Sequence, residues 1–212
     1  MGYLETAVVI YLRAIYYPHG FSFPLVRLDD HIAITEIGRE AATIIMLAGI
    51  GIVAGKNGTQ RFAWFLYCFA IWDIVYYVFL KALLNWPESF FAWDILFLIP
   101  VIWASPVICP CIIAPTMILL ALLLISYNEK SVSLKLNSKE WILFICGSFI
   151  VILSFIADCF SFIRAYEGTS IEAVSKFIPS CFNWLIFWAG EMIILTAIIL
   201  FYIRAKRLIS HN

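Results

Sequence analysis

The chain has 212 residues, of which 64% are hydrophobic and 13% are charged, and its formal net charge at pH 7 is zero. Soluble domains carry roughly a quarter charged residues, so this composition excludes an ordinary soluble domain and predicts an integral membrane protein. The charge balance provides no basic field for nucleic acid, which we exclude as a partner. We expect the lipid bilayer as the main partner, and other membrane subunits or further copies of the chain remain open alternatives.

The chain begins with an apolar segment that is too short to cross a membrane. Residues 4 to 17 are interrupted by Glu5 and Arg13 and are followed by Pro18, which cannot continue a helix. A helix needs about 20 apolar residues to cross the bilayer core. We therefore predict an N-terminal interfacial helix.

Five longer apolar segments are predicted to cross the membrane as helices. Together they predict an all-α integral membrane protein with a single transmembrane domain over residues 1–212. In the first segment, Gly38, Gly49 and Gly51 would let a neighbouring helix approach closely. The predicted spans cover about residues 32–54, 62–84, 106–127, 140–162 and 181–203.

The stretch between the second and third spans is apolar but rich in proline. Ser89 could cap a helix that starts near residue 90 and is ended by Pro100. A helix of this length cannot cross the bilayer, and it is tolerated at membrane depth only if protein or a cavity surrounds it. We predict a re-entrant or interfacial half-helix over about residues 90–104.

The distribution of basic residues predicts the orientation of the chain. Eight lysine and arginine residues lie on the side of the loops 55–61 and 128–139 and the C-terminal tail, against five on the opposite side. The positive-inside rule then places the N-terminus outside and the C-terminus in the cytoplasm. We expect a bacterial inner membrane protein.

Six acidic residues fall inside the apolar segments, and the orientation predicts that all lie at or outside the membrane midplane. Arg39 and Lys81 are the bases at comparable depth, and Tyr77 lies on the same helical face as Asp73 and Lys81. A charge at the bilayer centre costs about 2.5 to 3.5 kcal/mol even on the lenient insertion scale. The acidic residues are Glu36, Glu40, Asp73, Asp94, Asp158 and Glu191.

An excess of buried negative charge must be offset by protonation, by water in a cavity or by a bound cation. We therefore predict an outward-facing, carboxylate-rich cavity that binds a cation, either a metal ion or a proton, in binding or transport. The alternative is a salt-bridge network that holds the helices together. The predicted cavity residues are Glu36, Arg39, Glu40, Asp73, Tyr77, Lys81, Asp94, Asp158 and Glu191.

A histidine near the first span suggests a metal site, although a histidine on a surface loop is usually only solvated. Imidazole and carboxylate ligands together suit zinc, iron or manganese. The predicted ligands are His31, Glu36, Glu40, Asp73 and Asp158.

A second candidate metal site is the tripeptide Cys109-Pro110-Cys111. It resembles the intramembrane Cys-Pro-Cys of heavy-metal P-type ATPases over these three residues. The resemblance implies that the two thiolates hold a soft transition metal ion such as Cu(I). The alternative is an inert pair of thiols on a kinked helix.

Two other functions stay open at this level. One is an intramembrane metal-dependent enzyme that activates water toward a lipid-linked or periplasmic substrate. The other is a structural subunit of a larger membrane complex, such as a redox complex, in which the charges pair with partner chains.

Overall fold

Five helices are long and apolar enough to cross a membrane in the computed structural model, which describes residues 1–98, 101–130 and 134–210. They confirm the predicted all-α class and indicate a lipid bilayer as the environment. These five are α2, α3, α4, α5 and α7. In chain order the elements are α1 (Gly2–Tyr16), α2 (Asp30–Ala54), α3 (Gly58–Leu84), β1 (Trp93–Phe97), β2 (Trp103–Pro106), α4 (Ile108–Lys130), α5 (Ser138–Ala165), α6 (Ser170–Lys176) and α7 (Trp184–Ser210).

Polar caps explain why two of the spanning helices begin earlier than predicted. The side-chain oxygen of Asn57 accepts the N–H of Gln60 at 3.1 Å, just before α3. At the start of α5, Asn137 and Glu140 each accept the other's backbone N–H at 2.8 Å. Such reciprocal bonds satisfy the free donors of a first helical turn, so the helix extends beyond its apolar segment.

The N-terminal segment is helical, as predicted, and α1 packs against α3. A Cβ atom added at Gly2 would lie 2.8 Å from the side chain of Val75. The hydroxyl of Thr6 donates to the carbonyl of Gly2 at 3.0 Å and lies 3.3 Å from that of Tyr76. This close approach fixes one face of α1 on α3. The interfacial position of α1 stays a prediction.

The half-helix predicted over residues 90–104 is wrong, because this region forms a β-hairpin. β1 and β2 pair antiparallel, with Asp94 opposite Ser105 and a bulge between Ile95 and Phe97. The strands satisfy their backbone groups against each other, whereas a short helix would leave the groups at both of its ends without partners.

The local signals in this region have different roles from those predicted. Ser89 does not cap a helix, and its hydroxyl oxygen accepts the N–H of Phe91 at 3.0 Å in a turn. Pro100, which was expected to end the half-helix, lies outside the described residues.

The chain divides into two compact units, and each has its own apolar core. Unit 1 comprises Met1–Thr43, Trp72–Cys109 and Leu153–Asn183. Its core includes Ile102 and Phe177, with aromatic and aliphatic side chains packed around them. The prediction of a single domain is neither supported nor opposed by this division.

Unit 2 comprises Ile44–Ile71, Pro110–Ile152 and Trp184–Asn212. Its core is built largely from alanine, leucine and phenylalanine side chains of four of the spanning helices. It also contains an ion pair in which Arg204 donates to both carboxylate oxygens of Glu140, at 2.8 and 2.7 Å.

Small residues allow close helix contacts within unit 2. A Cβ atom at Gly190 would lie 2.8 Å from the carbonyl oxygen of Gly147, and one at Gly51 would lie 2.6 Å from that of Arg61. The prediction of a close contact is therefore correct for Gly51. A Cβ atom added at Gly38 or Gly49 would meet nothing within 4 Å.

Candidate functional site

A charged cluster in unit 1 joins α1 to α2. Arg39 donates from its guanidinium to the carboxylates of both Glu36 and Glu5. The hydroxyl of Thr43 lies 3.5 Å from the second oxygen of Glu5. Burial raises the pKa of Glu5 above its ordinary value, while the positive charge of Arg39 acts in the opposite direction. We call Glu5, Glu36, Arg39 and Thr43 the Arg39 cluster.

Glu40, one turn beyond Glu36, is buried and binds the end of the hairpin rather than Arg39. Its two carboxylate oxygens lie 3.2 and 3.1 Å from the backbone nitrogen of Leu98, which donates the hydrogen bond. Leu98 directly follows β1, so the carboxylate satisfies a donor that β2 does not reach. Glu40 therefore positions the hairpin against α2.

A second cluster surrounds Asp94, which is 2% exposed. The hydroxyl of Tyr77 donates to one carboxylate oxygen at 3.0 Å, and a guanidinium nitrogen of Arg13 lies 3.7 Å from the other. Burial raises the pKa of Asp94 from 3.8 to about 6, although Arg13 and the Tyr77 hydrogen bond both favour the ionised form. Burial therefore has the larger effect on this carboxyl.

Asp73 lies one turn before Tyr77 on α3, close enough to Asp94 for electrostatic repulsion between the two carboxyls. Within the described ranges, Asp73 forms no hydrogen bond or ion pair. Like charges that repel one another are costly to hold together in a buried site. We call Arg13, Asp73, Tyr77 and Asp94 the Asp94 cluster.

The two clusters are neighbours in unit 1. Tyr76 of α3 interacts electrostatically with Arg13 and Asp94 on one side and with Glu5 and Arg39 on the other. Glu40 interacts in the same way with the charges of the Arg39 cluster, and we count it as a member of that cluster from here on. Together the two clusters contain two guanidinium groups and five carboxyl groups, which is an excess of three carboxyls. The five carboxyl groups are those of Glu5, Glu36, Glu40, Asp73 and Asp94.

Three of the predicted cavity residues lie outside these clusters, namely Lys81, Asp158 and Glu191. Lys81 is exposed and donates to the carbonyl oxygens of Asn85 and Pro87, at 3.3 and 2.9 Å, just past the end of α3. Asp158 accepts the backbone N–H of Ser180 at 3.0 Å. Both side chains therefore stabilise chain segments next to helices.

Glu191 belongs to unit 2 and is 1% exposed. The hydroxyl of Thr116 hydrogen-bonds to one of its carboxylate oxygens. The other oxygen is buried and has no hydrogen-bond partner in the described part of the chain. A buried carboxyl oxygen without a partner costs free energy, which packing elsewhere in unit 2 must offset.

The predicted metal ligands do not come together. Among the described residues, no group of three or more His, Cys, Asp or Glu side chains could hold a metal ion. His31 is exposed in the first turn of α2. The structure therefore gives no support to a metal site at these residues.

The Cys109-Pro110-Cys111 tripeptide lies in the first turn of α4. Proline is tolerated there because the first N–H groups of a helix have no partner within it, so this proline does not unwind a span. Cys109 is buried in unit 1, while Cys111 is half-buried and belongs to unit 2. Neither cysteine forms a disulfide bond within the described part of the chain.

Sequence reasoning missed the contribution of α1. Glu5 and Arg13 appeared only as interruptions of a short apolar segment, yet Glu5 pairs with the half-buried Arg39 and Arg13 pairs with the buried Asp94. A signal was present, because the two charges lie eight residues apart and so project from nearly the same helical face as Gly2 and Thr6.

Comparisons of the chain with protein-family models, with curated proteins and with solved structures find no match.

Proposed function

We propose that this chain is an integral membrane protein that binds a cation, the proton, at the carboxyl groups of the Asp94 and Arg39 clusters, and that it does so in transport. The excess of three carboxyls over guanidinium groups supports this proposal. So does the repulsion between Asp73 and Asp94, since binding a proton is the simplest way to relieve it.

The buried position of Asp94 is the observation that carries the proposal. Its carboxyl receives a hydrogen bond from Tyr77 and lies 3.7 Å from one guanidinium, and its pKa of about 6 lies in the range where cells and their surroundings differ in pH. A metal ion would need several converging ligands, and the described residues offer no such group. The proton is therefore the better candidate of the two cations.

We further propose that both clusters open toward the outside of a bacterial inner membrane. The excess of lysine and arginine on the other side of the spans supports this orientation, with the N-terminus outside and the C-terminus in the cytoplasm. α1 would then lie at the outer interface. Other membrane subunits or further copies of the chain remain candidate partners.

Proton binding can be measured on the purified protein in nanodiscs by infrared spectroscopy. The signal of protonated carboxyls is followed between about pH 4 and about pH 8. We expect a component that titrates near pH 6 in the native protein and that is missing from Asp94→Asn. Glu167→Gln, which removes an exposed carboxyl, is the control and should retain the component. Persistence of the component in Asp94→Asn would overturn the assignment.

Transport is tested separately in proteoliposomes with an internal pH dye and an imposed membrane potential. Proton flux should exceed that of protein-free liposomes and should fall to that level in both Asp73→Asn and Asp94→Asn. Normal titration without any flux would contradict transport and leave proton binding intact.

A further inference from the structure

Unit 1 contains a cavity of about 790 Å³, bounded by the end of α1, the following loop and the segment between α3 and the hairpin. Cavities that bind small molecules typically measure about 300 to 1,000 Å³ and have largely apolar linings with a few polar groups. Here the aromatic side chains Phe21, Phe23, Trp86 and Trp93 form much of the wall. The size and lining suit an organic ligand.

Arg13 is held in the wall of this cavity by two aromatic rings. Its guanidinium carbon lies 4.6 Å from the centre of the Phe21 ring and 4.0 Å from that of the Trp86 ring. Both separations are within the range of a cation–π interaction. The rings therefore fix the planar group in one place, which reduces the entropy lost when it binds a ligand.

The N–H groups of Arg13 have few acceptors. The nearest charged partner is one oxygen of Asp94 at 3.7 Å, which is too far for a hydrogen bond. Within residues 1–98, 101–130 and 134–210, the guanidinium donates no hydrogen bond, although it carries five N–H donors. The side chain is only 12% exposed, so the cavity is where acceptors for these donors can be placed.

We propose that this cavity binds an amphiphile whose oxyanion, a phosphate or carboxylate, receives hydrogen bonds from Arg13 while its apolar part packs against Phe21, Trp86 and Trp93. A guanidinium matches the geometry of such oxyanions through two parallel N–H groups. The exposed carboxylate of Glu88 also lines the cavity, but water screens it. Asp94 approaches a single nitrogen, so the other donors of Arg13 remain available.

Two sources could supply this chemistry. One is the headgroup of an anionic lipid of the surrounding bilayer, and the other is a free amphiphilic anion. Both ligands carry an oxyanion next to an apolar chain, so both would fit the same cavity. They differ in one respect: if the ligand is a bilayer lipid, added anionic lipid competes with a bound probe.

The test uses the full-length protein in nanodiscs of zwitterionic phosphatidylcholine, with a brominated dodecyl phosphate as the probe. Bromine quenches tryptophan emission over short distances, and Trp86 and Trp93 lie in the cavity wall. The uncharged brominated dodecanol is the matched control for partition into the lipid. We expect saturable quenching by the phosphate and only partition-like quenching by the alcohol. Equal quenching by both would overturn the proposal.

Two variants and one control address the site directly. Arg13→Gln should weaken probe binding by about tenfold or more, because hydrogen bonds to charged groups are lost. Ala14→Phe should also weaken it, because Ala14 lines the cavity and the larger ring fills space while Arg13 stays in place. Arg27→Gln removes an arginine that is 68% exposed and pairs with Asp30, so it should bind normally.

Unchanged binding in either folded variant would refute the site, and Ala14→Phe decides the matter if Arg13→Gln does not fold. Displacement of the probe by added phosphatidylglycerol would identify a bilayer headgroup as the source, and a lack of displacement would identify a free amphiphile. The site stands independently of the proposed proton binding, since Asp94→Asn should lose the titration near pH 6 but still bind the probe.

Discussion

Replacing Asp94 by asparagine should make the stability of the protein less dependent on pH. Asparagine has nearly the same shape, and its side-chain oxygen can still accept the hydrogen bond from Tyr77. It lacks the charge that burial opposes. The variant therefore removes the titration of this position while leaving the packing of the hairpin in place.

The expected change in the free energy of unfolding follows from the pKa of the Asp94 carboxyl. Burial raises it from 3.8 to about 6, a difference of about two pH units. At about 1.4 kcal/mol per unit, this corresponds to a free energy on the order of 3 kcal/mol. Because the folded protein holds the proton more tightly than the unfolded chain, this contribution is fully present below about pH 4. It is lost as the pH rises through about 6.

The charge of Arg13 does not add a separate cost. Arg13 lies 3.7 Å from Asp94 and favours its ionised form, so the pKa of about 6 already contains this effect. Arg13 also contacts two rings and faces a cavity that water can enter, so it can stay charged in the variant. We expect the variant to be more stable than the native protein by roughly 2 to 3 kcal/mol at neutral pH, with little difference at pH 4.

Unfolding in mixed micelles is followed by tryptophan fluorescence at a series of pH values. It measures the free energy of unfolding at neutral pH and the change of that free energy with pH, for the native protein and for the variant. Some pH dependence should remain in the variant, because burial also raises the pKa of Glu5. A variant that is less stable at neutral pH and keeps the pH dependence of the native protein would refute the reasoning. It would mean that Asp94 is ionised and fully paired in the folded state.

Two further variants test the packing of unit 2 by thermal unfolding in detergent. Gly190→Ala should cost about 1 to 3 kcal/mol because its Cβ would lie 2.8 Å from the carbonyl oxygen of Gly147, whereas the control Gly38→Ala should be neutral or slightly stabilising. Equal effects of the two changes would contradict the close contact. Arg204→Met should cost about 2 to 3 kcal/mol because it leaves the carboxylate of Glu140, 2% exposed, without its cation. Adding Glu140→Gln should restore about 1 kcal/mol or more, and strictly additive losses would argue against the ion pair.

The five spans could be predicted because the length and hydropathy of a helix are properties of a continuous segment. The hairpin could not be predicted in the same way. The segment 93–97 pairs with 103–106, and a short apolar run between prolines fits a half-helix as well as a strand. Its content of β-branched and aromatic residues favoured strands, but hydrogen bonding between distant residues decides the outcome.

The acidic residues of the candidate site were found because ionisable groups are rare inside apolar segments. Their grouping was only partly predictable. Depth along a helix does not give the direction in which a side chain points, so Asp158 and Glu191 were placed with Asp73 although they have other partners. The partners supplied by α1 were missed because a short amphipathic segment was treated as part of the surface.

The order of synthesis adds a constraint on how α1 reaches its final position. Its Glu5 pairs with Arg39, 34 residues later in the chain, and its Arg13 pairs with Asp94, 81 residues later. A ribosome adds about 5 to 20 residues per second, so the second interval lasts on the order of ten seconds. A buried charge without its partner is costly during this time. α1 can therefore reach its final contacts only once the hairpin has emerged.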